Sequence, residues 1–200
     1  MVCVVFDLDN TLVYTSLING GDGSRPVYGG KMWTQIRPHA RDLLRTVSVS
    51  ARIAVWTAGT RQYAEEIVSH IRTSLGLDVF EIVLCRDDCI QMGGGVYIKD
   101  LDVVRHRAGT ERVFLVDDNP IHTIVPRNRG AVVMVPPYRG EVHDGALLDL
   151  ISVLVAAVPI RDLHRPVPFF FDGVSGEGGC GGRSAPESWS STSAWTHASP

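Results

Sequence analysis

The feature that most constrains this chain is an apolar run that ends in paired acids. Val4, Val5 and Phe6 lead straight into Asp7, and Asp9 follows two positions later. A short apolar run bounded by polar residues predicts a strand buried on both faces, as in a parallel sheet. Side chains alternate along a strand, so carboxylates two apart point the same way at its carboxyl end. Open α/β sheets bind ligands at that edge. Two carboxylates aimed at one spot repel, and a chain tolerates them where a cation or a reaction uses them.

Three readings of Asp7-Leu8-Asp9-Asn10-Thr11 compete on the residues alone. The plainest is a strand followed by an Asx or Thr turn. A calcium loop of the EF type also begins D-x-D-N, but Leu12 stands where the sharp-turn glycine is needed. Ile18 stands where the bidentate glutamate belongs, which argues against that loop. The third is an aspartate nucleophile with a second aspartate as its general acid.

Two hundred residues suit one domain with a core large enough to fold without staples. A net charge of −3 gives no basic field for nucleic acid or anionic lipid. Only Met1 and Val2 precede the first strand residues, leaving no room for a signal peptide. The apolar stretch 146–160 carries Asp149 and is too short to span a bilayer. These features predict a nuclear or cytoplasmic protein with no membrane and no direct nucleic-acid binding. Cys3, Cys85, Cys89 and Cys180 lack paired metal spacing with histidine and read as free thiols. No cysteine has arginine six positions on, which argues against a phosphate-cradling Cys-loop phosphatase.

Strand and helix patterns alternate along the rest. Residues 13–36 are Gly-rich and read as a flap or loop, with Val27-Tyr28 and 31–33 as candidate short strands. Pro38 opens a helix over 38–49, with Leu43, Leu44 and Val47 as its apolar stripe. Strands are predicted over 52–56, 79–84, 112–116 and 131–135, and helices over 60–74, 100–107 and 144–157. The last of these turns Leu147, Leu148, Ile151, Leu154 and Val155 inward. The pattern is that of an α/β fold with a mostly parallel sheet. From Asp172 on, Gly, Ser or Pro fill 15 of 29 positions without periodicity, which predicts a disordered tail over 172–200.

Three further clusters carry chemistry-bearing residues, each with a plain alternative. Thr57 ends a buried strand, and with Ala58 and Gly59 near a helix N-terminus it makes either an anion site or a turn cap. The chain has 17 arginines and only two lysines, Lys31 and Lys99. A retained lysine is a compact point charge suited to one phosphoryl oxygen, or else an ordinary surface residue. Asp117 and Asp118 end another apolar strand, as a second acid pair or a strand-end turn. Were they to join Asp7 and Asp9, each like pair at ~4 Å would cost about 4 kcal/mol at an effective dielectric of ~20. A divalent cation is then required, and hard oxygen ligands beside a phosphate favour magnesium.

The order of these clusters is acid pair, hydroxyl, lysine, acid pair. It resembles the haloacid dehalogenase superfamily of aspartate-nucleophile phosphotransferases. Within it, the chain resembles the small phosphatases of the RNA polymerase C-terminal-domain type, also called NLI-interacting-factor-like. Their D-L-D-x-T-L is met by Asp7 to Leu12, and their R-P-H by Arg37, Pro38 and His39. Their T-A-x-x-x-x-Y is met by Thr57, Ala58 and Tyr63. Arg86, Cys89, Tyr97, Lys99, Asp100 and Leu101 meet R-x-x-C and Y-x-K-D-L. The resemblance covers roughly 3–140.

It implies a three-layer α/β/α Rossmann-like haloacid dehalogenase fold with no large cap domain. The phosphatase domain would occupy 1–165, with 13–36 as a flap or loop insertion. Asp7 would attack phosphorus, and Asp9 would protonate the leaving group, then activate water. Thr57 and Lys99 would bind phosphoryl oxygens. Magnesium would be held by Asp7, the Asp9 carbonyl and Asp118, with Asp117 behind them. Ala58, Tyr63 and Arg86 would border the groove for a phosphoprotein, and the chain would act as a monomer. The family usually carries Asn where this chain has Asp118. The segment before Arg37 is short, and Gly93, Gly94 and Gly95 lengthen the turn before Lys99 by about one residue, so substrate preference departs more readily than chemistry. A binding relative without activity would lose Asp7, Asp9 or Lys99, and all three are present. A small-molecule or nucleic-acid-end phosphatase would share the acids but not the Arg37-Pro38-His39 and Arg86-x-x-Cys89 segments.

Overall fold

The first apolar run, Val2–Phe6, forms strand β1 at the centre of a parallel sheet, with every residue buried. The structure, a computed structural model, describes residues 1–21 and 23–157. After β1 come β2 (Val13–Ser16), β3 (Ser24–Val27), β4 (Met32–Ile36), helix α1 (Ala40–Ser48) and β5 (Arg52–Trp56). Then follow α2 (Arg61–Leu75), β6 (Phe80–Leu84), β7 (Ile90–Gln91), β8 (Tyr97–Ile98) and α3 (Asp102–Ala108). The series closes with β9 (Arg112–Asp117), β10 (Val132–Met134) and α4 (Ala146–Ala157). The described residues lie within one unit, Met1–Pro168; the segment 172–200, predicted as a disordered tail, lies outside them.

The main sheet has the order β10-β9-β1-β5-β6, and every pairing in it is parallel. The chain steps from β1 to β5 and β6 on one side, then crosses back to β9 and β10 on the other. The order therefore reverses between β1 and β9, and a crevice opens beyond their carboxyl ends.

Alternation along β1 sorts its residues between two cores. Val2, Val4 and Phe6 join Leu43, Leu44, Val47, Ile67, Ile71, Leu147 and Leu150 beneath α1, α2 and α4. Cys3 and Val5 join Ala54, Trp56, Leu101, Val104 and Leu115 beneath α3 alone. Among the described residues three layers result, with α1, α2 and α4 on one face and the short α3 on the other. Each fully buried Leu contributes roughly 1.5–3 kcal/mol, so Leu43 and Leu44 fix α1 against the sheet.

Several boundaries differ from the sequence reading. The segment 13–36, read as a flap or loop with candidate short strands at 27–28 and 31–33, is a three-stranded antiparallel sheet, ordered β2-β4-β3. The turn before Lys99 contains the antiparallel pair β7–β8. Pro38 does not open the following helix. His39, in the left-handed conformation at φ 63°, turns the chain first, and α1 begins at Ala40. In α4 the buried residues are Leu147, Leu150 and Leu154, whereas Leu148 and Val155 face outward. That helix is apolar on nearly every side, so periodicity could not fix its phase.

Candidate active site

The loop after β1 wraps tightly around one carbonyl. The amides of Leu12 and Val13 both donate to Leu8 O at 2.9 Å, and Asn10 takes a left-handed conformation at φ 59°. Asn tolerates that conformation better than most residues. This compact turn presents Asp7 and Asp9 in different directions.

Asp7 points into the crevice between β1 and β9. Its Oδ1 lies 2.5 Å from Lys99 Nζ, and the same nitrogen lies 2.6 Å from Asp117 Oδ2. All three side chains are buried. Burial pushes the Asp7 carboxyl well above its ordinary range; Lys99 pulls it back, while Asp117 and Asp9 push it further up. Burial would raise Asp117 too, but Lys99 and His122 bring it below the usual carboxylate range. For Lys99, burial opposes the charge and the two carboxylates outweigh it, so its ammonium is held above the ordinary value.

Lys99 is fixed from behind by residues that sequence reasoning missed. Its amide donates to His122 Nδ1 at 3.2 Å, which leaves the ring proton on Nε2, 3.2 Å from Asp117 Oδ2. Asn128 Nδ2 donates to Lys99 O at 2.7 Å and to His122 O at 2.8 Å, and its Oδ1 accepts from Leu101 N. Both residues are buried and saturated with partners, and their spacing in the sequence carries no signal.

Asp9 occupies a different setting. Its Oδ1 accepts the Tyr63 hydroxyl, and its Oδ2 accepts Thr57 Oγ1 at 3.1 Å. Burial raises its carboxyl above the ordinary value against those two bonds. Thr57 follows β5 and in turn accepts Gly59 N at 2.9 Å. Thr60 caps α2 by accepting Tyr63 N, which aims the first turn of the helix at the site.

Of the four acids, the structure brings three together. Asp7, Asp117 and Asp118 offer carboxylate oxygens all within 4.8 Å of one another, while the Asp9 carboxylate turns to Thr57 and Tyr63. One ammonium does not balance three carboxylates, so hard oxygen donors with excess negative charge suit a divalent cation such as magnesium. Asp118 is half-buried, with burial and Asp117 raising its carboxyl. Asp117 already holds Lys99, His122 and the amide of Asn119.

Beside Asp9 lies a groove of about 470 Å³ lined by Thr15, Tyr28, Met32, Ala58, Tyr63 and Arg86, among others. Arg86 Nε donates to Ala58 O at 2.8 Å, and its guanidinium stacks 4.9 Å from the Tyr97 ring centroid. The flap supplies Thr15, Tyr28 and Met32, so it forms one wall.

Arg37, first residue of the R-P-H segment, is 1% exposed and works as a brace. It forks onto Asp144 at 2.9 and 2.8 Å and donates to Thr11 O at 3.2 Å.

The sequence matches the family described as NLI interacting factor-like phosphatase over residues 2–164. The chain belongs to this family. A human CTD small phosphatase-like protein is 32% identical over 158 residues, covering 74% of this chain and 53% of the relative. The human carboxy-terminal domain RNA polymerase II polypeptide A small phosphatase 2 is 29% identical over 170 residues, covering 82% and 59%. The chain thus spans a little over half the length of these curated relatives. Among solved structures, Fcp1, an essential RNA polymerase II CTD phosphatase, matches with TM-score 0.53 at 19% identity, over 79% of this chain and 51% of that one. That likeness shows the haloacid dehalogenase-type fold, and among the described residues there is no large cap.

Proposed function

We propose that this chain is a magnesium-dependent phosphatase that forms an aspartyl-phosphate on Asp7 and acts on phosphoserine and phosphothreonine in proteins. The observation that carries this reading is the division of labour between two aspartates in one turn. Asp7 sits against the Lys99 ammonium, and Asp9 sits among neutral hydroxyls. Environments that differ in this way assign nucleophile and acid.

In the first step an Asp7 oxygen bonds to phosphorus while the ester P–O bond breaks. The proton of Asp9 passes to the leaving alkoxide. Water then attacks the phosphorus and gives its proton to Asp9. The bond to Asp7 breaks, its carboxylate is restored and phosphate leaves. Lys99 and Thr57 hold phosphoryl oxygens through both steps, and Lys99 neutralises charge where it develops. Asp7, Asp118 and the Asp9 carbonyl would hold the magnesium, with Asp117 fixing Lys99 beside them. When bound, the cation supplies positive charge to the phosphoryl oxygens.

The open groove supports a macromolecular substrate. Small metabolites gain affinity from enclosure, whereas an uncapped crevice admits an extended peptide. Tyr28, Met32 and Arg86 along its walls suit a peptide with apolar and polar side chains on either side of the phosphate. Relatives named for the RNA polymerase II carboxy-terminal domain make Ser/Pro-rich repeats of that kind a suitable target. We place the activity in residues 1–165 of a monomer in the nucleus or cytoplasm. The test is kcat/KM for phosphoserine, phosphothreonine and phosphotyrosine peptides beside sugar phosphates and nucleotides. Phosphoserine and phosphothreonine peptides are expected to lead. A metabolite or nucleotide preferred tenfold or more would replace the protein substrate by a small-molecule or nucleic-acid-end one.

A further inference from the structure

We infer that the three-stranded flap positions the general acid, through a row of hydroxyls that runs from Thr34 and Thr15 to Tyr63 and ends on Asp9. The inference rests on the phosphatase reading above. It gives the flap a part in proton transfer, beyond lining a groove.

The row crosses three elements. Thr15 on β2 and Thr34 on β4 are register partners, and their Oγ1 atoms lie 3.1 Å apart. Thr15 Oγ1 lies 2.7 Å from the Tyr63 hydroxyl on α2, and that hydroxyl bonds Asp9 Oδ1. Thr34 is fully buried and Tyr63 is 7% exposed. Folding does not call for this arrangement: a valine on each strand would fill the same space, and a buried hydroxyl is unfavourable unless it is bonded. The flap nevertheless sets two hydroxyls, Thr34 buried and Thr15 half-buried, in line with Tyr63 and one carboxyl.

A hydroxyl has a single proton and both donates and accepts. The four oxygens stand in one line, each within hydrogen-bond distance of the next, so the two flap threonines hold the Tyr63 hydroxyl and that hydroxyl holds Asp9 Oδ1. A general acid must stay within hydrogen-bond reach of the leaving oxygen. Small misplacements of a catalytic group cost about a hundredfold. Tyr63, Thr15 and Thr34 touch neither phosphorus nor the leaving oxygen in this scheme, and so are positioning residues.

Substrates that differ in their need for a proton expose this role. A seryl alkoxide is a poor leaving group and must be protonated as it departs. The phenolate of 4-nitrophenyl phosphate leaves largely unaided. The full chain with magnesium is assayed on a phosphoserine peptide and on 4-nitrophenyl phosphate. Tyr63→Phe is expected to lower kcat on the peptide about tenfold more than on the aryl ester. Thr34→Val should show the same selectivity more weakly, and Thr34→Ser should restore the original ratio. Adding Thr34→Val to Tyr63→Phe should cost nothing further, because members of one row are not additive.

Equal losses on both substrates, or a Thr34→Ser variant as defective as Thr34→Val, would overturn the inference and leave the phosphatase reading standing. If Thr34→Val fails to fold, Tyr63→Phe alone decides by the same ratio. Failure of the unaltered chain to turn over either substrate would bring down the functional reading, and this inference with it.

Discussion

Asp7 and Asp9 are separated by one residue, yet they stand in opposite surroundings. Asp7 belongs to the rigid parallel sheet and faces a charged partner, Lys99, which is itself shared with Asp117. Asp9 belongs to the junction with the flap and faces Thr57 and Tyr63, which are neutral. Burial raises both carboxyls. Among the described residues, the Asp7 side has a directly bonded ammonium and neighbouring acids that a cation can bridge. The comparison teaches that a D-x-D motif does not supply two equivalent acids. The strand sends one into a charged crevice, and the turn around Leu8 hands the other to hydroxyls.

Removing the charged side should have the largest effect. Asp7→Asn is expected to lower turnover of an aryl phosphate by at least about a thousandfold, since an amide cannot carry the phosphoryl group. Unchanged circular dichroism would confirm that the fold persists; activity above a few per cent would end the covalent mechanism. A chelator in excess should abolish turnover, and added magnesium should restore it. Lys99→Arg comes next, at about a hundredfold, because a wide fork replaces a point charge held between two carboxylates. Near-normal kinetics there would detach Lys99 from the reaction.

The charged side was also the more legible in the sequence. Buried strands such as Val2–Phe6 and Ile53–Trp56 are apolar on both faces, and each delivers its acid or hydroxyl at a predictable end. The scarcity of lysine singled out Lys99. What lay hidden depends on contacts between distant segments. The flap carries Pro26 and many glycines, which read as loop, because the pairing that makes it a sheet is set by β4. Tyr63 read as a groove residue, because its hydroxyl finds Asp9 from 54 positions away. His122 and Asn128 are held by backbone groups of Lys99 and Leu101, and such bonds leave no trace in spacing. Arg37 was visible only as part of a motif, and its partner Asp144 lies 107 positions on.

A milder perturbation presses on the neutral side without touching a charge. At Gly59 an added Cβ would lie 2.5 Å from Tyr63 Cδ1 and 3.2 Å from Thr57 Oγ1. The Tyr63 ring is nearly buried and has to shift. Gly59→Ala is therefore expected to lower kcat for a phosphoserine peptide by about tenfold, the cost of a slightly misplaced catalytic group. Unchanged kcat would mean that the ring yields without disturbing Asp9, and the contrast between the two sides would lose its neutral half.

The smallest effect on turnover should come from Asp144→Asn, which loosens the brace under both sides equally. Arg37 is buried, and its guanidinium fork meets Asp144 while also holding Thr11 O. Removing the carboxylate leaves the guanidinium buried with weaker partners. This should cost about 3 kcal/mol of unfolding free energy, while kcat stays within about threefold because no reacting atom is touched. The pH dependence identifies the cause. The hydrogen-bonded Arg37 guanidinium holds the Asp144 carboxyl below its ordinary range. A depressed carboxyl stabilises the fold above its unfolded value, about 3.9, and loses that contribution as pH falls through the lowered folded value. The stability difference between the parent chain and Asp144→Asn should therefore be constant above about pH 5 and shrink below about pH 4. Urea unfolding at a series of pH values measures it. A difference that persists undiminished into acid would show that Asp144 acts through its shape rather than its charge.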